Sequence, residues 1–424
     1  MKKLLLITLI TSTLVLTSCF KDDDAPLIIE TSTTIINEGS GGTGEDCPVI
    51  AVTGEVADGT VWTKENIYQL NQKVVIPAGA TLTINPGTIV KGSSGTGSLA
   101  SALIVARGGT LNANGTADEP IIFTSTQDNI TCGQTAGTNL DENDRGLWGG
   151  LIVLGNAPCS FSGDITEAQI EGIPADDTFG LYGGTDADDS SGSMRYISIR
   201  HGGALIGEGN EINGLTLGGV GNGTIIDNIE VVANVDDGVE FFGGTCDASN
   251  LLVWAQGDDA IDIDQAYSGI IDNVVVVLGD ISDHAFEIDG PEGTGSGLFT
   301  LRNATIIGNA ITANGEYADY RSNAQGLTEN VYALGFKASS DVELDNDGVA
   351  TNYNNGDLTF GPWEIVLPTG VTNVGDIFKN NAETVTVTGF GNFATAVTEG
   401  NQTVGANTSN LSWTYANIAG SLGF

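Results

Sequence analysis

The sequence predicts an all-β protein built as a β-solenoid, and a repeat in the middle of the chain is the main reason. Three segments share a pattern of acids followed by alternating apolar and acidic residues, and their first aligned acids are Asp236, Asp258 and Asp283. A single repeat of this kind is too short to bury a core alone, so the repeats stack as successive coils. Composition agrees, because 60 glycines against 10 prolines fit many short strands separated by turns.

An asparagine follows the same period. Asn228, Asn250 and Asn273 each precede a short apolar run, and Asn303 follows after a longer insert. Stacked asparagines bond side chain to side chain in cross-β structures, so we expect an internal amide ladder at one corner of the coil. In each strand the first and third residues should face inward and the second and fourth outward, as in Val239-Glu-Phe-Phe.

The first part of the coil repeats more loosely. Val74-Val-Ile-Pro-Ala-Gly-Ala-Thr-Leu and Gly146-Leu-Trp-Gly-Gly-Leu-Ile-Val-Leu-Gly consist of short strands and tight turns. These runs resemble the rungs of right-handed parallel β-helices of the pectin-lyase-like type. The resemblance implies a right-handed parallel β-helix over residues 47–350. It implies architecture rather than chemistry, since the fold hosts lyases, hydrolases, adhesins and inert spikes.

Two regions depart from the repeat. Residues 127–190 break its rhythm and should form long loops that leave the coil, and such inserts often carry the working face of repeat proteins. From residue 351 the repeat fades. We expect residues 351–424 to cap the C-terminal end, because an open coil would expose an unpaired sheet edge.

The formal net charge of the chain is −40. Phosphate backbones are bound by clustered Lys and Arg, so the charge excludes nucleic acid as a partner. It also argues against docking of the folded domain on anionic lipid heads. Bound cations, cationic partners and a merely solvated acidic surface all remain compatible with it.

The N-terminus has the features of a bacterial lipoprotein leader. Lys2 and Lys3 precede an apolar stretch, residues 4–16, that is too short to span a bilayer. Leu16-Thr-Ser-Cys19 then resembles a lipobox, which implies that residues 1–18 are a signal peptide and that Cys19 is lipidated. The alternative is an ordinary signal peptide with a chance cysteine.

The residues after Cys19 resemble the Lys-acid-acid export tag of surface lipoproteins in the Bacteroidota. Lys21, Asp22, Asp23 and Asp24 would form that tag, although an acidic spacer is the alternative. Residues 19–46 would then be the lipidated cysteine and a flexible tether. The resemblance implies a protein anchored by lipid in the outer membrane and exposed at the cell surface.

Four further cysteines allow three disulfide connectivities, and export makes disulfides permissible. Cys132 and Cys159 are the pair nearest in sequence, and we expect them to close a loop between rungs. No CxxC spacing and only two histidines occur, so a zinc site is not expected.

The outward acids of the repeats are the candidate metal ligands. Stacking places Glu240, Asp262 and Glu287 in one row, with Asp264 and Asp289 beside it. Carboxylates at strand spacing repel one another, so either their pKa values rise or a cation lies between them. Calcium suits such oxygen ligands. The alternatives are a solvated face and, for the first aligned acids of the repeats, turn-forming aspartates.

Catalytic candidates are fewer. Gly257-Asp-Asp-Ala-Ile-Asp-Ile resembles the paired-aspartate motif of polygalacturonases, which makes Asp258 and Asp259 candidates, with His284 one rung on. The family's Gly-His-Gly and Arg-Ile-Lys motifs are missing. A calcium-dependent lyase would need a basic side chain near its substrate, and no Arg lies within the acidic repeats.

The function we predict is a surface lipoprotein whose β-helix binds or scaffolds a glycan or an outer-membrane protein complex. The alternative is a carbohydrate-active enzyme, a polysaccharide lyase or a glycoside hydrolase, on the same fold. Trp254, Phe242 and Tyr267 could offer a stacking surface for sugars, or they could pack in the core.

Overall fold

The computed structural model describes residues 32–36, 47–174, 177–205, 211–311 and 314–423. The predicted signal peptide, Cys19 and the Lys21–Asp24 tag lie outside the described residues. None of the helices within the described ranges is long and apolar enough to cross a membrane.

The described chain forms a parallel β-helix, which confirms the predicted fold class. Its strands, in chain order, are β1 (Ser32–Ile36), β2 (Val49–Glu55), β3 (Thr60–Trp62), β4 (Ile67–Ile76), β5 (Thr81–Ile84), β6 (Ile89–Gly92), β7 (Ala102–Val105), β8 (Thr110–Asn114), β9 (Ile121–Ser125), β10 (Leu151–Leu154), β11 (Ala168–Gln169), β12 (Leu181–Tyr182), β13 (Gly192–Arg200), β14 (Leu215–Gly218), β15 (Ile225–Val232), β16 (Val239–Phe242), β17 (Ala248–Trp254), β18 (Ile261–Asp264), β19 (Ile270–Val277), β20 (His284–Ile288), β21 (Phe299–Ile307), β22 (Glu316–Tyr320), β23 (Gly326–Leu334), β24 (Val342–Leu344), β25 (Leu358–Phe360), β26 (Trp363–Ile365), β27 (Phe378–Asn380) and β28 (Ala394–Ala396). The α-helices are α1 (Asp347–Asn355) and α2 (Tyr415–Ile418). Short 3-10 helices span Gly97–Leu99, Ser162–Asp164, Thr178–Gly180, Val374–Ile377 and Thr408–Leu411.

Three stacks of parallel strands form the sides of the coil. Stack A contains β2, β6, β9, β26 and β28, the N-terminal half of β4, and the C-terminal halves of β13, β15, β17, β19, β21 and β23. Stack B contains β7, β10, β14, β16, β18, β20, β22, β24 and β27 with the C-terminal half of β4. Stack C contains β3, β5, β8 and β25 with the N-terminal halves of β13, β15, β17, β19, β21 and β23. Strand β1 differs, since it runs antiparallel to β2.

The corner between stacks C and A is one residue in the left-handed conformation. Asn228, Asn250, Asn273 and Asn303 take this position with φ between 56° and 64°. Asparagine tolerates that conformation because its short side chain bonds locally. The predicted amide ladder is present only in part: Asn273 donates to Asn250 at 2.7 Å, but Asn250 donates to Asp227, so an aspartate interrupts the row.

The interior of the coil is apolar, as the alternation predicts. Val239 and Phe241, and their equivalents one rung on, Ile261 and Ile263, are buried in one continuous core. Each fully buried side chain of this size contributes roughly 1.5–3 kcal/mol by leaving water.

The first insert, residues 126–147, corrects the predicted disulfide. Cys132 pairs with Cys47, at a Cα–Cα distance of 5.8 Å, and Cys159 is free. Cys47 and Cys132 pack beside Ile67 and Ile89 on the outer face of stack A. Cys159 belongs to the second insert, on the side of stack B, and its thiol lies against the carbonyl of Phe242. Proximity in sequence was misleading because the two inserts depart from different stacks.

The second insert, residues 155–191, lies on the outer face of stack B. Its apolar side chains Phe161, Ile170 and Tyr182 pack against Ile104 and Ile152 of the coil. Both inserts are therefore long loops outside the coil, as predicted, and each covers a different side of it.

The C-terminal part differs from the predicted cap. The coil continues through β25 to β28, because these strands pair with β23, β24 and β26. Residues 397–423, the C-terminal strap, then run back along the outer face of stack A. The strap bonds in turn to Glu364, Thr305, Asn273, Asn250 and Glu230.

Candidate functional site

A row of acids runs along the outer face of stack B. Register pairing places Glu240, Asp262, Glu287, Asp319 and Glu343 on successive rungs, and we call this row the carboxylate ladder. The predicted register of its first three members is confirmed. Asp319 and Glu343 were missed because their repeats lack the acid pair that marks the others. The alternation in Tyr317-Ala-Asp-Tyr was the signal that could have found Asp319.

The ladder points outward, yet its first three members are not solvated. Glu240, Asp262 and Glu287 are 5%, 8% and 7% exposed, which excludes the solvated face for these rungs. Burial is the main cause that raises the pKa of Glu240 and Asp262, and the charges of neighbouring acids add to it. Burial followed by the charge of Asp259 raises the pKa of Glu287 to about 9.

A second row lies in the turn that precedes each strand of stack B. The carboxylate of Asp237 accepts the Asp259 amide N–H at 2.9 Å, and that of Asp259 accepts the His284 amide N–H at 2.7 Å. Each aspartate thus ties its own turn to the turn above. We expected the first aligned acids, Asp236 and Asp258, to bond to the backbone of the turns. The residues that follow them, Asp237 and Asp259, make these bonds instead.

His284 is the centre of a mixed cluster of acids and bases. Its Nδ1 lies 2.8 Å from Asp259 Oδ1 and 3.8 Å from Glu287 Oε2. Arg321 forms ion pairs with Glu287 and, at 2.9 Å, with Asp289. We call Asp259, His284, Glu287, Asp289 and Arg321 the histidine cluster. It brings together two of the three catalytic candidates, Asp259 and His284, and two of the five predicted metal ligands, Glu287 and Asp289.

The charges in the histidine cluster change the protonation of its members. Burial alone would lower the pKa of His284, but the hydrogen bond and charge of Asp259 outweigh it and raise the pKa to about 10. Asp258 lies beside the cluster at the surface, and partial desolvation of its carboxyl, followed by the charge of Asp259, raises its pKa to about 6. Asp258, the third catalytic candidate, is thus adjacent to the Asp259–His284 pair without belonging to it.

Arg321 was missed from the sequence. It directly follows β22, two repeats after Asp258-Asp259, and only stacking brings it beside Glu287. The expectation that no arginine enters the acidic rungs was therefore wrong.

The predicted calcium ligands separate into two groups. Glu287 and Asp289 both form ion pairs with Arg321. Glu240 and Asp262 instead join Asp237, and one oxygen from each lies within 4.8 Å of the others. We call Asp237, Glu240 and Asp262 the carboxylate pocket. Asp264 stands near both groups, and burial followed by the charge of Asp289 raises its pKa to about 7.

The predicted aromatic stacking surface is not available to a ligand. Trp254 is 7% exposed beneath the strap, where it packs against Tyr415. Phe242 is 6% exposed under the second insert, and Tyr267 is inside the coil. All three serve packing, the second of the two alternatives.

The family that the sequence matches agrees with the fold. The profile of a family described as the pectate-lyase-like β-helix domain matches residues 54–417. A crystal structure of the pectin methylesterase from Aspergillus niger in deglycosylated form is 13% identical, with a TM-score of 0.34 over 79% of this chain and 87% of that chain. The penultimately deglycosylated form of that enzyme gives 12% identity and a TM-score of 0.32, over 84% and 88% of the two chains. No curated protein matches the sequence.

Proposed function

The chain belongs to the family of pectate-lyase-like β-helix domains, and from that premise we propose that it is a binding protein held on the outer-membrane surface. A lipid on Cys19 would be the anchor, and Leu16-Thr-Ser-Cys19 supports that role. Several acyl chains on one cysteine hold a protein far more firmly than one chain does. The Lys21–Asp24 segment would direct it to the outside.

The anchor and the tag are tested separately. Cys19→Ser should move the protein from the membrane to the soluble fraction, whereas Cys159→Ser, which changes a free thiol, should not. Replacing Lys21, Asp22, Asp23 and Asp24 with Ala should leave acylation intact and remove accessibility to external protease. Unchanged fractionation of the first variant would refute the anchor, and unchanged accessibility would reduce the tag to a spacer.

The ligand we propose is a neutral or amino-bearing glycan, bound at the histidine cluster. The observation that carries this proposal is that two basic side chains on the outer face of stack B are paired with carboxylates and still reach solvent. Arg321 is 39% exposed and His284 is 19% exposed. Sugar hydroxyls both donate and accept, so a face with both donors and acceptors suits them. The excess of carboxylates repels polyuronates and attracts amino groups.

A pair of arginines gives a matched test of the ligand. Arg321 and Arg302 are equally exposed and both bonded to aspartate, but Arg302 lies on stack C. In chelator, titration calorimetry with neutral and amino-sugar oligosaccharides should show binding that Arg321→Ala weakens at least about tenfold, or 1.4 kcal/mol. Arg302→Ala should bind as the parent does. Equal losses in both variants, or a preference for polygalacturonate, would refute the proposal.

A second candidate function is glycoside hydrolysis, and the contact between Asp259 and His284 favours it. Hydrolysis needs one carboxyl that holds a proton and one that is ionised. Asp258, with its pKa raised to about 6, could be the acid, and Asp259 the base. Release of reducing ends that Asp258→Asn and Asp259→Asn both abolish, with glycan binding retained by Asp258→Asn, would establish an enzyme. Binding without turnover would leave the first proposal standing.

A further inference from the structure

We propose that the carboxylate pocket is a buried site for one divalent cation, and that the cation it takes is Ca²⁺. The pocket lies on stack B one rung below the histidine cluster. The inference does not depend on the identity of the glycan, because none of the three pocket residues belongs to that cluster.

The fold brings three acids from two rungs to one point. Glu240 and Asp262 are register partners on β16 and β18, and Asp237 lies in the turn before β16. The three side chains are 5–8% exposed, so water does not screen their charges. Asn213 completes the wall from the preceding rung, where its amide donates to Glu240.

One oxygen of the pocket lacks a partner. Asp262 Oδ1 is buried and accepts no hydrogen bond. A buried carboxylate oxygen without a donor is costly, and native proteins rarely leave one so. Among the ion pairs within the described ranges, none joins Lys, Arg or His to Asp237, Glu240 or Asp262. The pocket therefore has concentrated negative charge and an unused ligand atom.

The ligand set indicates the kind of cation. The atoms are carboxylate oxygens, which suit hard cations, and neither His nor Cys is among them. Two oxygens on opposite sides of Ca²⁺ are roughly 4.8 Å apart, twice the usual Ca–O distance. The oxygens of the pocket lie within that span. Mg²⁺ needs a tighter octahedron and gives up water reluctantly, so it should bind more weakly.

The cation would also support the histidine cluster from below. Asp237 accepts the amide N–H of Asp259 at 2.9 Å, and Asp259 in turn bonds His284. A cation on Asp237 would fix the turn that carries this chain of contacts. The pocket residues are thus positioning residues for the cluster.

The test uses the full chain, purified in detergent and stripped with EDTA. Native mass spectrometry and calorimetry with CaCl₂ should show one Ca²⁺ per chain, much weaker Mg²⁺ binding, and a Tm raised by several degrees. Asp262→Asn should lower Ca²⁺ affinity at least about tenfold and remove the gain in Tm. Asp272→Asn makes the same change on stack C and should leave Ca²⁺ binding unchanged.

Three results would overturn the site. No Ca²⁺ uptake by the parent up to millimolar concentration would do so without any variant. A Tm that is as high at low pH without bound Ca²⁺ as at neutral pH with Ca²⁺ would show that protons, not metal, neutralise the pocket. Undiminished Ca²⁺ binding by Asp262→Asn would place the cation elsewhere. Arg321→Ala tests glycan binding and lies outside the pocket, whereas Asp262→Asn tests Ca²⁺ binding and lies outside the histidine cluster, so failure of one proposal is distinguishable from failure of the other.

Discussion

Two buried carboxylates on different sides of the coil show how differently the fold treats the same group. Glu230, on the outer face of stack A, is fully buried and accepts hydrogen bonds from Ser198 Oγ at 2.5 Å and from the amides of Tyr415 and Ala416 at 2.9 and 2.8 Å. Asp262, on stack B, is 8% exposed and has one oxygen with no donor.

The difference separates structural acids from candidate sites. On stack A the C-terminal strap supplies the donors, and the charge of Glu230 holds the strap. On stack B the second insert covers the coil with apolar side chains, which cannot donate hydrogen bonds to the acids. Burial of an acid is therefore weak support for function, whereas burial without partners points to a ligand.

The largest effect should follow from removing Glu230. Glu230→Ala leaves two strap amides and the Ser198 hydroxyl without their acceptor beside buried Arg200, so we expect the free energy of unfolding to fall by about 3–5 kcal/mol. Urea denaturation measures this. Asp262→Asn in EDTA should be neutral or stabilising, because it removes repulsion. Equal losses in the two variants would show that the comparison is false.

The disulfide should have the next largest effect, again on stack A. Cys47–Cys132 closes a loop of 85 residues and holds the first insert, whose Leu140 carbonyl accepts the Tyr415 hydroxyl of the strap. Cys132→Ser should cost about 2–4 kcal/mol through the gain in chain entropy of the unfolded state. Cys159→Ser, at a free thiol, is the control. An equal loss with Cys159→Ser would restore the pairing of Cys132 with Cys159 that the sequence led us to expect.

How much of the fold and of the candidate site could be predicted depends on whether a contact lies within the repeat or joins segments that share no pattern. The repeat at Asp236, Asp258 and Asp283 gives the coil, its inward residues and the acid row, because register within stacked repeats follows directly from sequence period. The strap, the disulfide and the contact of Arg321 with Glu287 join residues across inserts or across rungs without a shared pattern. Glu230 and Asp262 both alternate with apolar residues, and only the covering segments distinguish them.

The pH dependence of stability should follow the acids of stack B whose pKa is raised by burial. Burial is the largest cause that raises the pKa of Asp236 and of Asp264 to about 7. The folded state then holds protons that the unfolded chain has lost above pH ~4. Their stabilisation is full below that pH and is lost as pH rises through about 7.

In EDTA the Tm should therefore be several degrees higher at pH 5.5 than at pH 8, the reverse of ordinary acid denaturation. His284 acts in the same direction, since its pKa is raised to about 10. Asp236→Asn should reduce the difference in Tm, and millimolar Ca²⁺ should reduce it further if the pocket binds metal. A Tm that falls from pH 8 to pH 5.5 in both buffers would mean that paired acids such as Glu230 dominate.

The smallest effect should come from the corner asparagines, and it measures the strap alone. Asn273 and Asn330 occupy equivalent corners with φ of 64° and 56°, but only Asn273 also accepts the Asn407 amide of the strap, at 2.6 Å. Glycine tolerates this backbone, so replacement by glycine removes the side-chain bonds without adding strain. Asn273 also donates to the Asn407 carbonyl at 3.2 Å, so we expect Asn273→Gly to cost about 1–2 kcal/mol more than Asn330→Gly, the contribution of two hydrogen bonds. Equal losses of unfolding free energy in the two variants would show that the strap adds no stability at this rung. Its attachment would then depend on other contacts, such as those with Glu230.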